Sequence, residues 1–164
     1  MIETKAIPAG VLPPSLHGLQ AMIINMPLRE DAPPNCAPLG PALLAARLLQ
    51  NEAQVSLIDL NAYRIPEPGK AIGRHLTRQE AVSLIRRTAH VEGTPHLIGL
   101  GGMVTTLRWQ KEMAQDLRKE FPEAMIVSGG GLATEFREGL FKWIPELDGI
   151  VHSEADDVIL RVGL

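Results

Sequence analysis

The chain has 164 residues, 45% hydrophobic and 21% charged, the make-up of one ordinary globular domain that buries roughly 70% of its unfolded surface. Sixteen basic against 19 acidic side chains leave a net charge of −3, which gives no electrostatic footprint for nucleic acid and no polybasic face for an anionic membrane. One cysteine excludes an internal disulfide, a thiolate zinc site and an iron–sulfur cluster held by this chain.

The opening segment MIETKAIPAGVLPPSLHG has an early acid, one lysine and three prolines, and lacks the apolar core of a signal peptide. The longest uncharged apolar stretches fall far short of the roughly 20 residues that a membrane helix needs, so a cytoplasmic location is expected. Eight of the 13 prolines lie between Pro8 and Pro41. Residues 1–19 therefore read as an extended lead-in, and 27–41 as a long stiff loop.

From residue 20 onward, strands and helices alternate. AMIINM (21–26) is a buried strand, and PALLAARLLQNE (41–52) a helix with proline in its first turn. VSLIDL (55–60) is a second strand, followed by NAYRIPEPG (61–69), read as a loop from Pro66, Pro68 and Gly69. Thr77 and Glu80 have capping-box spacing at the head of the next helix, which Gly93 and Pro95 end. HLIGLGG (96–102) is a third strand. Trp109, Met113, Leu117 and Phe121 then recur every four residues along a helix that Pro122 stops. AMIVSGGG (124–131) is a fourth strand. Thr134 is expected to cap a helix whose apolar face is Phe136, Leu140, Trp143 and Ile144. DGIVHS (148–153) is a fifth, short strand, with Ser153 capping a last helix. That helix has little more than two turns of sequence, so the chain is expected to be part of a longer protein.

This alternation predicts an α/β fold: a doubly wound five-stranded parallel sheet, flavodoxin-like or Rossmann-like, with helices on both faces. Ligands of such folds bind outside the carboxyl ends of the strands, where the winding reverses. The loops at 27–41, 61–69, 101–106, 129–134 and 152–154 are therefore the places to look.

Familiar chemistry is missing from those loops. No G-x-G-x-x-G follows the first strand, where the sequence is Pro27-Leu28-Arg29-Glu30, and neither a P-loop nor a flavin-phosphate loop is present. Asn25 stands where a phosphoacceptor domain would want an aspartate. The five histidines show no H-x-x-x-H spacing, and Cys36 has no partner base in any recognisable motif. What stands out is glycine. Ser128-Gly129-Gly130-Gly131 strips three side chains from a strand–helix turn, which suits close approach of a broad, flat ligand as well as tight helix–sheet packing. Gly101 to Thr106 offers a similar approach after the third strand, with Thr105 and Thr106 as hydroxyl donors or helix caps.

The segments PLGPALLAARLL (38–49), VSLIDL (55–60), LIGLGGMVTT (97–106), IVSGGGLAT (126–134) and GIVHSEADD (149–157) together resemble the cobalamin-binding domain at the N-terminus of many radical S-adenosylmethionine enzymes. The resemblance spans residues 20–164 in order. It implies a corrin lying across the strand ends, with Ser128, Gly129, Gly130, Gly131 and Leu132 against the corrin or its nucleotide tail. Met103, Val104, Thr105 and Thr106 would line the tail cleft, and Ser153 and Glu154 would close the rim. The loop before the first helix has no histidine, so no histidine lower ligand to cobalt is expected from it. The iron–sulfur cluster and S-adenosylmethionine would belong to a downstream radical domain, the expected partner, because this chain has no C-x-x-x-C-x-x-C. Two departures, His152-Ser153 in place of a glycine-bearing turn and Gly101-Gly102 where serines are common, favour an alternative: a cofactor-free regulatory or interaction domain of the same fold. A hydrolase or transferase on this fold lacks a nucleophile–base constellation.

Overall fold

The computed structural model of the protein describes residues 15–28, 37–152, 155 and 158–162. In chain order the strands and helices are β1 (Gln20–Asn25), α1 (Leu39–Gln50), β2 (Gln54–Asp59), β3 (Ile65–Glu67), β4 (Lys70–Arg74), α2 (Arg78–Glu92) and β5 (Leu97–Gly101). A 3-10 turn, Val104–Thr106, then leads into α3 (Leu107–Glu120), followed by β6 (Met125–Gly129), α4 (Gly131–Phe136), a second 3-10 turn at Arg137–Gly139, α5 (Leu140–Trp143), β7 (Gly149–Ile150) and α6 (Ile159–Val162).

Five strands form one sheet in the order β2-β1-β5-β6-β7, every pair parallel. Strand side chains alternate between two faces, and each face has its own cover. Met22, Ile24, Ile98 and Ile126 pack with Ile85 of α2, Met113 and Leu117 of α3, and Leu132 of α4. On the opposite face Ala21, Ile23, Leu97 and Val127 meet Leu48 of α1 and Ile159 and Leu160 of α6. Because both faces are covered, β1 is buried along its whole length, which explains why it reads as an unbroken apolar run. The fold is the expected doubly wound, flavodoxin-like α/β sheet. Its winding reverses between β1 and β5.

Three local expectations are corrected. The stretch expected as a loop at 61–69 leads into the antiparallel β3–β4 hairpin. Pro68-Gly69 turns it, with Gly69 at φ +81°, as a proline–glycine turn requires. A Cβ on Gly73 (φ +69°) would lie 2.2 Å from the carbonyl oxygen of Ile65, so the irregular register between the two strands depends on that glycine. Thr134 is not a cap. It sits inside α4 and its hydroxyl donates to the Gly130 carbonyl at 3.0 Å, because the helix has already begun at Gly131. The apolar face expected across Phe136, Leu140, Trp143 and Ile144 is broken by Arg137 at φ +45°, which leaves Leu140 and Ile144 buried and Trp143 exposed. The expected cap Ser153 lies outside the described residues.

The capping box of α2 is present as expected. The Glu80 amide donates to Thr77 Oγ1 at 3.3 Å, and Glu80 Oε2 accepts the Thr77 amide at 2.7 Å. The same carboxylate takes both Arg74 guanidinium nitrogens, at 2.7 and 2.9 Å, and so ties β4 to the head of α2. α2 is held along α3 by Arg78–Asp116 at 2.8 Å and Arg86–Glu120 at 2.6 Å. The Arg74 guanidinium first, then the Thr77 amide and hydroxyl, lower the Glu80 pKa from its ordinary 4.5 to about 2. Protonation is therefore harder in the folded chain than in the unfolded one. The stabilisation is complete above the ordinary carboxylate range and is lost as the pH falls from there toward 2. A carboxyl-detected NMR titration is expected to place Glu80 well below the exposed glutamates. In Glu80→Gln the fraying of the first turn of α2, read by amide exchange, becomes independent of pH over that window.

Candidate functional site

Where the winding reverses, at the carboxyl ends of β1, β5 and β6, a cavity of about 380 Å³ opens on the face covered by α1 and α6. Its size falls within the range of small-molecule sites. Ile23, Val127 and Val151 line its sheet side, with Leu44 on α1 and Ile159 on α6 opposite. Leu28 and Met103 stand over it from the loops after β1 and β5. Among the described lining residues Asn25 alone has a side chain with nitrogen or oxygen atoms.

Glycine shapes the rest of the wall, for two separable reasons. Some glycines are demanded by the chain itself. A Cβ on Gly130, at φ +81°, would lie 2.9 Å from the Gly102 carbonyl oxygen; one on Gly102 would lie 2.3 Å from Thr106 Oγ1; one on Gly99 would lie 2.9 Å from the end of Ile23. Others have no such cause. Among the described residues, a Cβ on Gly101 meets nothing nearer than Pro41 at 3.6 Å, one on Gly129 nothing nearer than the Val151 carbonyl at 3.8 Å, and one on Gly40 nothing within 4 Å. A Cβ on Gly131 would touch only the Met103 sulfur at 3.4 Å. Gly101 and Gly129 are register partners on adjacent strands, so together they leave a patch of bare backbone facing the cavity. Alanine would fit at both positions and would stiffen the unfolded chain less wastefully than glycine. Neither glycine is required by its described neighbours.

Of the residues singled out from sequence, Met103, Gly129, Gly130 and Gly131 line this cavity together. Val104 and Thr105 are exposed on the 3-10 turn but do not line it. Thr106 is buried, and its hydroxyl donates to the Met103 carbonyl at 2.7 Å, so it closes its own turn and caps no helix. Ser128 points to the other face of the sheet, where its hydroxyl donates to Gln110 Oε1 at 2.7 Å; both residues are fully buried. Leu132 belongs to the core beneath α4. Ser153 and Glu154 lie outside the described residues. Sequence reasoning marked Gly101 as the start of the close-approach loop at 101–106, and gave Gly40 and Asn25 no part in the site. Strand alternation gives Gly101 the same face as Gly99, yet nothing local reveals that this face is the open one.

Asn25 is held firmly. Its Nδ2 donates to Asp59 Oδ1 at 2.8 Å, and the same oxygen accepts the Asn61 amide at 3.1 Å. Asn61 Oδ1 in turn accepts the Leu28 amide at 2.8 Å. This network joins the ends of β1 and β2 and positions Leu28 over the cavity. Among the described residues no cluster of three or more His, Cys, Asp or Glu side chains could hold a metal ion, and no helix is long and apolar enough to cross a membrane.

The two classes of glycine predict opposite responses in denaturant unfolding of the ligand-free protein. Gly101→Ala and Gly129→Ala are expected to leave stability unchanged or raise it by about 0.5–1 kcal/mol. Gly130→Ala, forced into a left-handed backbone against a carbonyl, is expected to lower it by about 1–3 kcal/mol.

No protein-family model matches the chain, and no curated protein matches it. Among solved structures, 34 chains match. One is the Salmonella typhimurium response regulator RcsB, in a structure described for conformational dynamism in DNA interaction. It shares 11% identity at a TM-score of 0.45, over 88% of this chain and 56% of that one. The chain thus spans little more than half the length of that relative.

Proposed function

We propose that this domain is a cobalamin-binding module that presents the cofactor to a radical S-adenosylmethionine domain. The observation that carries the reading is the patch of bare backbone at Gly101 and Gly129, flanked by Gly131 and Gly40, where among the described residues a Cβ would meet nothing nearer than 3.4 Å. A broad, largely apolar group that must lie against the sheet end uses that kind of surface, and the sequence resemblance places a corrin and its nucleotide tail at these strand ends. The donor set fits. The wall is aliphatic, from Leu44, Val127, Val151 and Ile159, and burying an aromatic tail there is favourable at about 25 cal/mol per Å² of apolar surface.

In this reading Gly101 and Gly129 to Gly131 form the floor. Leu44 and Ile159 clamp the tail from the helices and exclude water, and Met103 covers the mouth. Bound cobalamin supplies a carbon–cobalt bond for group transfer. The chain's own residues bind and orient it. No histidine of the loop at 27–41 ligates cobalt, because that loop has none, and the partner domain brings the cysteines that this chain lacks.

Desalting the protein after incubation with hydroxocobalamin is the direct test. Retained corrin absorbance near one equivalent is expected, with a spectrum that lacks a histidine-ligation signature. Gly129→Val is expected to abolish retention while leaving far-UV dichroism unchanged, and Gly139→Ala, at an open surface position, is expected to retain the cofactor. A colourless wild-type protein contradicts the proposal and supports a cofactor-free interaction domain.

A further inference from the structure

Among the described residues, the polar side-chain chemistry of the cavity is confined to one residue in a fixed orientation. Asn25 lies at the end of β1, on the same face as Ile23, and is only 8% exposed. Its register partner on β2 is Asp59, whose carboxylate only accepts hydrogen bonds. The end of the Asn25 amide that faces Asp59 is therefore the NH2 group, at 2.8 Å. The same carboxylate oxygen also accepts the Asn61 amide, so Asp59 itself is held in place. Asp59 takes an N–H of Nδ2, and Oδ1, the acceptor of the Asn25 side chain, has no hydrogen-bond partner among the described residues. The other described residues that line the cavity bring aliphatic side chains, the Met103 thioether and bare backbone.

We infer that Asn25 is the specificity-determining residue of this cavity: its carbonyl oxygen, locked by Asp59, selects a ligand that brings an N–H or O–H donor on an otherwise flat, apolar body. A ligand that covers this acceptor without offering it a donor pays for its lost hydration, so a ligand of the same shape that lacks a donor binds more weakly. Exchanging Asp59 for leucine removes the acceptor that holds the Asn25 NH2 group, and the Asn25 amide is then free to turn. The inference rests on the cavity being a ligand site, but not on the ligand being cobalamin.

Indole and benzofuran separate the two questions. They have nearly the same shape, and indole alone carries an N–H donor. Both are titrated against the full chain, with dissociation constants read from the backbone amide shifts of Gly101 and Gly129. The wild-type protein is expected to favour indole by about fivefold, the worth of one hydrogen bond of roughly 1 kcal/mol. Asn25→Leu is expected to bring the two probes within about twofold of each other, with benzofuran bound at least as well as before. Asp59→Leu, which leaves Asn25 itself in place, is expected to lose at least half of the preference and carries the test should Asn25→Leu not fold. Equal binding of the two probes by the wild-type protein overturns the inference. So does a preference that survives in folded Asn25→Leu or in folded Asp59→Leu, or the absence of shifts at both glycines with either probe. Hydroxocobalamin retention reads the cofactor assignment separately: a protein that prefers indole yet stays colourless keeps the donor selectivity and loses the cobalamin.

Discussion

The loops after β5 and β6 meet backbone to backbone at Gly102 and Gly130, and the architecture of the site follows from that contact. Gly130 leaves the sheet in a left-handed conformation with no room for a Cβ beside the Gly102 carbonyl. That carbonyl accepts the Leu132 amide at 3.3 Å, so α4 starts at once and its first turn is fixed against β5. With both loops turned away together, Gly101 and Gly129 end level on the opposite face. A larger residue at 130 would push the two loops apart and tilt the floor.

The two faces of the sheet divide the work. Beneath α2 and α3 lies the larger core, with Ile85, Met113 and Leu117 fully buried, locked outside by the Arg78 and Arg86 ion pairs. A buried polar pair, Ser128 with Gln110, sits inside it. The α1 and α6 face carries a thinner core around Ile23, Leu48 and Ile159 and keeps an open volume at its carboxyl end. Local sequence choices agree with the fold on the first face. They depart from it on the second, where glycine replaces residues that would pack better. Such departures are expected where a surface is kept for binding.

The strands and long helices were legible because their signals are local: β-branched apolar runs, four-residue periodicity from Trp109 to Phe121, and the Thr77–Glu80 box. The location of the site was legible too, since the switch-point rule needs only strand order. The hairpin was not. Its strands are three and five residues long, contain Pro66 and Gly73, and are stabilised by register between the strands and not by an apolar stripe. Nor was the division of the SGGG motif. Ser128 and Gly129 are neighbours in sequence, yet face opposite sides of the sheet, and only the placement of α1 and α6 decides which side is hollow. Asn25 read as a missing aspartate; its orientation is set by Asp59, 34 residues away.

The central claim is that the bare backbone at Gly101 and Gly129 exists for a ligand and not for the fold. Thermal unfolding of the wild type and of the Gly101→Ala/Gly129→Ala double variant, each with and without saturating hydroxocobalamin, tests this most directly, because a ligand bound only by the native state raises the midpoint. The account predicts a double variant that melts at or above the wild type when ligand-free and gains little from cobalamin, while the wild type gains clearly. A double variant that melts well below the wild type without ligand, or that gains as much from cobalamin as the wild type does, would contradict it.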